Sequence, residues 1–381
     1  MRFDVAVVGA GPAGLIAARE TSRRGVKTAV FEEDQVVGRP EKCAGLYSIE
    51  GLKGLGIPVE GPYLQNKVRG AVFVSPSGRI FEVDAGHDVA VVCNRERFDQ
   101  FLAEQALSAG AELFLEERVV EAKVVNGEAR TKTKNVEVAS RYLIVAEGRT
   151  AATARQVFPN YQLNGWLPIV QYQISNHQQD PEMVYLYFRR YIPEFFGYLV
   201  PVDERVGKLG VAASKNTDKL AAKLLSELFP HAKLLGVSSS SIYLGKPLQH
   251  PLKGPAMLVG DVAGQTKATT GGGVIMGGFA AIAAAKHAAG EGRYQDYLKP
   301  VLRELNRTYL LRSLTAKLSP KMLDILFQAV KESGLENILG KVGDMDKHMP
   351  TVAKALLTPS AFKLWAYLFS AFLPVAGLKL K

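Results

Sequence analysis

The sequence predicts an α/β fold: a parallel-sheet domain wound with helices, an antiparallel sheet inserted into it, and a helical carboxy-terminal region. Three observations predict this. The apolar run Asp4-Val-Ala-Val-Val8 leads into Gly9-x-Gly11-x-x-Gly14 and an Ala-rich helical stretch to Arg24. A second strand, Lys27-Thr-Ala-Val-Phe-Glu32, then ends in an acid. Residues 165–245 hold several short segments of β pattern. Beyond about residue 293 the apolar spacing is helical.

Gly9 permits the tight turn after the first strand, Gly11 lets a ligand approach the backbone, and Gly14 lets the helix pack close to the strand. A Gly/Pro-rich loop spans Val37–Leu46. Residues 68–83 alternate apolar and polar around Ser75-Pro-Ser-Gly78, which reads as a β-hairpin. Arg97–Leu107 has helical spacing and stops before Gly110. Short strands are expected at 112–114, 119–125 and 136–138, and an apolar strand at 141–146 ending in Glu147-Gly148. The inserted sheet is expected to use 168–174, 183–188, 197–200, 208–213 and 240–244, with one helix at 218–228. A second strand–helix junction, rich in glycine, lies at 256–288. The expected division is therefore 1–65, 90–160 and 246–295 for the nucleotide domain, 66–89 and 161–245 for the β-rich domain, and 296–381 for the helical region.

Composition bounds the function. The chain has 381 residues, 47% of them hydrophobic, which is enough for two domains. Its two cysteines, Cys43 and Cys93, cannot staple so long a chain and cannot supply the four thiolates of an iron–sulfur cluster. The six histidines are scattered without metal-ligand spacing, so no metal is expected. The chain opens almost directly on a strand, so no signal peptide and a cytoplasmic location are expected. A net charge of +10 suits an anionic lipid surface or an acidic protein. Basic residues are not interleaved with aromatics, which argues against nucleic acid.

The chemistry-bearing motifs point to a bound dinucleotide. Free N–H groups at the start of the first helix suit a pyrophosphate, and Glu32 suits a ribose diol. This is the Rossmann-type pattern, which serves NAD or FAD. The second junction favours a flavin. Met257-Leu-Val-Gly260-Asp261 is a buried strand ending in an acid that suits sugar-alcohol hydroxyls, and Thr269-Thr-Gly271-Gly272-Gly273-Val274 opens a helix. That helix end is positive and suits the charge a reduced flavin gains at its pyrimidine edge.

These paired motifs resemble the FAD-dependent family built like p-hydroxybenzoate hydroxylase. Arg95-Glu-Arg-Phe-Asp99 resembles that family's Arg-x-x-Phe-Asp helix entry, which implies that Arg95 meets FAD. The strand 143–148 ends in Glu147-Gly148 where the family usually has Asp-Gly. Within this group the chain is most similar to the geranylgeranyl reductases, in particular the archaeal enzymes that saturate digeranylgeranylglycerophospholipids. The loop Arg39-Pro-Glu-Lys-Cys43-Ala44-Gly-Leu-Tyr47-Ser48 resembles their cysteine–glycine loop, and Thr270-Gly-Gly-Gly-Val274 resembles their Thr-Gly-Gly-Gly-Ile. Pro193-Glu-Phe-Phe-Gly-Tyr-Leu-Val-Pro201 sits where they carry Pro-x-x-Tyr-x-Trp-x-Phe-Pro, with Phe196, Tyr198 and Val200 at the aromatic positions.

The resemblance implies FAD held by Gly9, Gly11, Pro12, Ala13, Gly14, Glu32, Cys43, Ala44, Arg95, Val119 and Glu147, and by Gly260, Asp261, Gly271, Gly272, Gly273 and Val274. It implies an isoprenoid double bond as substrate, for which an aromatic tunnel would be lined by Tyr185, Tyr187, Phe195, Phe196 and Tyr198. Cys43 and Tyr47 are the candidate proton donors. The electron donor is left open between NAD(P)H and an acidic ferredoxin-like protein. The apolar run Phe362–Leu378, interrupted by Pro374 and flanked by Lys363, Lys379 and Lys381, is too short to span a bilayer. It suits either peripheral contact with the inner face of a membrane or packing on the protein. An aromatic hydroxylase or monooxygenase on the same fold, and a non-enzymatic FAD-binding protein at a membrane, are the alternatives.

Overall fold

The computed structural model describes residues 1–364. Its largest sheet has eight strands. Four parallel pairings join Ala256–Leu258, Glu137–Val145, Arg2–Val8, Thr28–Phe31 and Glu112–Phe114 in that spatial order. Leu252–Lys253 closes one edge antiparallel, and the hairpin Glu121–Val125/Glu128–Lys132 extends Glu137–Val145. The central strands are apolar on both faces because both are covered: Val5, Ala6 and Val7 have no exposed surface. The first helix, Pro12–Ser22, packs against Val274–Ala288 and Arg95–Ser108 on one face. The alanines and glycines of Val274–Ala288 permit this closeness. A Cβ on Gly277 would stand 3.0 Å from the Gly260 Cα.

A seven-stranded sheet runs Lys233–Tyr243, Trp166–Ser175, Val206–Ala212, Gly197–Pro201, Met183–Tyr187, Gly70–Val74 and Ile80–Asp84. All its pairings are antiparallel except Met183–Tyr187 with Gly70–Val74. Alternation gives this sheet two different faces. Tyr172, Tyr185, Tyr187, Leu199, Leu209 and Val211 pack under the helix Thr217–Leu228. Tyr198, Lys208 and Gln171 lie on the other face, toward the loop of residues 39–46. A small sheet of Leu46–Ser48, Ala90–Cys93 and Leu64–Val68 joins the two large ones.

Helices Tyr294–Thr315, Pro320–Glu332, Leu335–Val342 and His348–Leu356 complete the described chain. Two of them, Pro320–Glu332 and Leu335–Val342, pack on Ile80–Asp84. Phe327 meets Phe81 edge-on at 4.9 Å between ring centres. No helix among the described residues is long and apolar enough to cross a membrane. Most of the run Phe362–Leu378 lies outside the described residues.

Several expectations change. The segments expected at 136–138 and 141–146 are one strand, Glu137–Val145, since Ala139 and Ser140 carry it through without a break. Strand Glu128–Lys132 is too polar to stand out by pattern. The segment expected at 240–244 is the end of an eleven-residue edge strand, Lys233–Tyr243, whose serines and glycine hide its length.

Candidate active site

The ends of the parallel strands build a cleft of about 370 Å³, lined among others by Gly9, Gly11, Pro12, Ala13, Glu32, Arg95, Val119, Glu147, Gly260, Asp261, Gly273 and Val274. Two stretches more than two hundred residues apart thus share one cavity. Each glycine has its own reason. Gly9 turns with φ +98°, and a Cβ on it would stand 2.6 Å from the Ala146 carbonyl oxygen. A Cβ on Gly14 would stand 2.0 Å from the Gly9 oxygen, so the helix touches the turn directly. Gly11 has φ −74° and ψ 175°, which any residue adopts, and nothing lies within 4 Å of its missing Cβ. Its bareness leaves room in the cleft. No side chain caps the helix that follows, so its first N–H groups face that room.

Three charged side chains are fixed around the cleft. Glu32 Oε2 accepts from the Ala10 N–H at 2.6 Å and Oε1 from Asp34 N–H at 3.0 Å. Burial pushes its carboxyl above the usual range, and those N–H groups pull it back. Asp261, in the turn Gly260–Ala263, is raised by burial and opposed by the Arg95 charge. A Cβ on Gly273 would stand 2.8 Å from Asp261 Oδ1, so the helix start fits tightly over the acid. Arg95 opens a helix capped by Asn94. Its guanidinium pairs with Asp99 through contacts of 3.0 and 2.8 Å. Burial works against its charge, but Asp99, Tyr47 and Cys43 together outweigh it, and Arg95 stays protonated.

Some of the expected residues sit behind or beside this cleft. Gly14, Cys43, Ala44, Gly271 and Gly272 do not line it. Gly271, at φ +72°, packs on Ile242 of the seven-stranded sheet. Glu147 lines the cleft, but its two oxygens accept from Thr153 and Ala154 N–H at 3.0 and 2.8 Å and so hold the next helix. Tyr47 is buried against Phe98, and its hydroxyl has no partner among the described residues. Burial pushes this phenol well above its ordinary range, so it keeps its proton. Cys43 is half-buried and accepts from Gly45 N–H at 3.4 Å. Cys93 is fully buried, and its thiol is pushed up to about 12.

The five expected tunnel aromatics are not brought together. Tyr185 and Tyr187 fall on the face of the sheet covered by helix Thr217–Leu228, because strand alternation opposes them to Leu186 and, in register, Tyr198. A lining built from all five is therefore corrected to Phe195, Phe196 and Tyr198, which pack with Leu167, Ile169 and Ile242. Phe195 and Phe196 stack at 3.9 Å.

Apart from Tyr198, sequence reading passed over the residues that fasten the Cys43 loop. Tyr198 donates its hydroxyl hydrogen to Gln171 Oε1 at 2.9 Å, and Gln171 Nε2 donates to the Cys43 carbonyl at 3.5 Å. Lys208 is 3% exposed and reaches Glu41 at 2.7 Å and the Ala44 carbonyl at 3.4 Å. Glu41 also accepts from the Arg95 N–H at 3.1 Å. The available signal was a lysine sharing one strand face with Gly210 and Ala212.

The donor set and the bare glycines fit a dinucleotide with a flavin, and the family comparison agrees. A family model described as an FAD binding domain matches residues 2–218, more than half of the chain. The fold and cleft therefore define an FAD-dependent flavoprotein of that family, with FAD as its cofactor. A narrower kinship follows. Digeranylgeranylglycerophospholipid reductase 1 of Methanopyrus kandleri is 30% identical over 295 residues, which cover 72% of this chain and 77% of that protein. The digeranylgeranylglycerophospholipid reductase of Thermoplasma volcanium is 27% identical over 369 residues, 88% of this chain and 93% of that protein. A solved Thermoplasma acidophilum structure, described as geranylgeranyl bacteriochlorophyll reductase-like, has a TM-score of 0.82 at 22% identity, covering 96% of this chain and 99% of that one. The chain belongs to the digeranylgeranylglycerophospholipid reductase family.

Proposed function

We propose that this protein is an FAD-dependent reductase that saturates isoprenoid C=C bonds of geranylgeranyl ether lipids. What supports this most is the position of the Cys43 loop. Its Lys42 and the neighbouring Arg95 line the dinucleotide cleft, while its Cys43 carbonyl meets Gln171 beside Tyr198. A substrate bound against Phe195, Phe196 and Tyr198 would therefore reach the cleft past this loop. In this reading the FAD-binding domain is 1–65, 90–160 and 246–295, and the substrate domain is 66–89 and 161–245.

FAD, when bound, supplies the two-electron reducing chemistry. The chain supplies the rest. Gly9, Gly11 and the uncapped helix start hold the phosphates, Glu32 the ribose, and Asp261 the sugar-alcohol chain. Gly273 and Val274 would face the ring. Arg95, kept charged by Asp99, holds an anionic group. The apolar lining keeps water from the alkene. Cys43 Sγ is the favoured proton donor and Tyr47 Oη the second, since each lies near the Arg95 charge. We propose NAD(P)H or a ferredoxin-like protein as reductant, and a cytoplasmic protein held peripherally on the inner face of the membrane through Phe362–Leu378. The test is anaerobic. Photoreduced holoprotein mixed with digeranylgeranylglycerophospholipid is expected to regain its oxidised flavin spectrum. A spectrum that stays reduced with lipid, yet reoxidises on adding an aromatic substrate and oxygen with oxygen incorporated, would favour the hydroxylase.

A further inference from the structure

Behind the glycine turn lies a buried ion pair to which the proposed reaction assigns no task. Lys267 Nζ donates to Asp346 Oδ1 at 2.7 Å and to the Met345 carbonyl at 2.6 Å. Ser48 donates its hydroxyl hydrogen to the other Asp346 oxygen. Lys267 and Asp346 are each 7% exposed. The three residues come from three separated segments. Ser48 follows Tyr47, Lys267 opens the turn, and Asp346 sits among the carboxy-terminal helices.

Lys267 also builds the turn with its backbone. Its N–H donates to Gly272 at 3.0 Å, and its carbonyl accepts from Thr270 and Gly271 at 3.1 and 2.7 Å. A Cβ on Gly272 would stand 3.4 Å from Lys267 Cε and 3.9 Å from Nζ. The ammonium therefore lies directly behind the turn whose next residues, Gly273 and Val274, line the cleft. A buried pair of this kind is weak evidence of stabilisation, because apolar residues of similar volume serve as well. What apolar residues cannot supply is charge.

We propose that Lys267 and Asp346 set the reduction potential of the bound FAD, Lys267 raising it and Asp346 moderating that rise. The inference rests on the FAD reading above, with the ring at Gly273–Val274. Reduction adds negative charge at a flavin's pyrimidine edge. A fixed cation behind the turn favours that added charge, and a fixed anion beside the cation cancels part of the effect. The two residues therefore act with opposite sign.

The experiment is spectroelectrochemical titration of holoprotein variants. Lys267→Met is expected to lower the potential and Asp346→Asn to raise it. Each corresponds to about a tenfold change in the ratio of affinities for reduced and oxidised FAD, about 30 mV for a two-electron couple. Lys267→Arg keeps the charge and is expected to stay near wild type, and the double variant Lys267→Met/Asp346→Asn is expected to return toward it. A merely structural role would move both single variants the same way. Shifts of one sign, or no shift in FAD-loaded Asp346→Asn, would overturn the proposal. If Lys267→Met does not fold, Lys267→Gln and Lys267→Arg carry the same comparison. A wild-type protein that takes up no FAD would instead overturn the reading beneath it.

Discussion

Gly11 and Gly14 belong to one motif, but substitutions at them are expected to fail differently. Gly11→Asp adds a side chain where nothing lies within 4 Å and where the backbone, at φ −74° and ψ 175°, is already extended. Asp is a good residue to precede a helix, and its charge complements the helix dipole. Stability without added FAD is therefore expected to be unchanged, or raised by up to about 1 kcal/mol. The same carboxylate stands where the pyrophosphate would lie. Two unit charges about 4 Å apart repel by about 4 kcal/mol at an effective dielectric constant of 20. FAD affinity should fall on the order of a thousandfold. Gly14→Ala behaves the other way, because its Cβ would stand 2.0 Å from a backbone oxygen that has no freedom to rotate away. Overpacking of this kind costs about 1–3 kcal/mol. Urea unfolding followed by circular dichroism measures the first quantity, and quenching of FAD fluorescence on binding measures the second. A Gly11→Asp protein that folds normally and binds FAD like wild type would refute the assignment of this turn to the phosphates.

Further predictions concern the loop, the sheet and the carboxy-terminal helices. Lys208→Met takes the cation from Glu41 and leaves it the Arg95 N–H; the loss is expected to be about 3 kcal/mol, the low end for a broken buried pair because Glu41 is also partly exposed. With the loop loosened, Cys43 should react several-fold faster with a maleimide, read by mass spectrometry. Gly210→Ala places a Cβ 2.1 Å from the Tyr198 ring and forces it off Gln171; kcat/KM for the lipid should fall at least tenfold while FAD content is unchanged. His348 accepts from Thr269 Oγ1 at 2.7 Å, donates to the Met345 carbonyl at 2.8 Å, and is pushed down to about 4 by burial and by Lys267. An unfolded histidine titrates near 6.5, so the unfolded chain binds the extra proton first as pH falls. The stability contributed by neutral His348 is whole above about pH 6.5 and is lost progressively down to about pH 4. The loss is about 3 kcal/mol in all, and in urea titrations from pH 7 to pH 4 the slope should flatten in His348→Gln.

The parallel sheet was legible because its elements are local. A run of apolar residues, three spaced glycines and an acid lie within about thirty residues, and the backbone geometry they require is read from residue types alone. The second half of the cleft, Gly260-Asp261 and Gly273-Val274, was legible for the same reason. What the sequence concealed is what depends on which face a strand presents. Tyr185 and Tyr198 both read as aromatic lining, yet their strands pair so that one faces a helix and the other faces the Cys43 loop. The fastening residues were hidden more deeply. Lys208, Gln171, Lys267 and Asp346 act across more than seventy residues of sequence, and a lone lysine or aspartate carries no pattern until the fold supplies its partner. The strand Lys233–Tyr243 was hidden because an edge position needs no apolar alternation, and Glu128–Lys132, paired on both sides, because the only residues it buries are Ala129 and Thr131.

In the proposed reaction the cleft and the apolar face beside it bring a reduced flavin and a prenyl double bond together. The most direct test is anaerobic incubation of dithionite-reduced, FAD-loaded protein with digeranylgeranylglycerophospholipid, followed by mass spectrometry of the lipid. Products heavier by two mass units for each bond saturated are expected. Recovery of unchanged lipid from protein whose flavin is still reduced would contradict the proposed reaction.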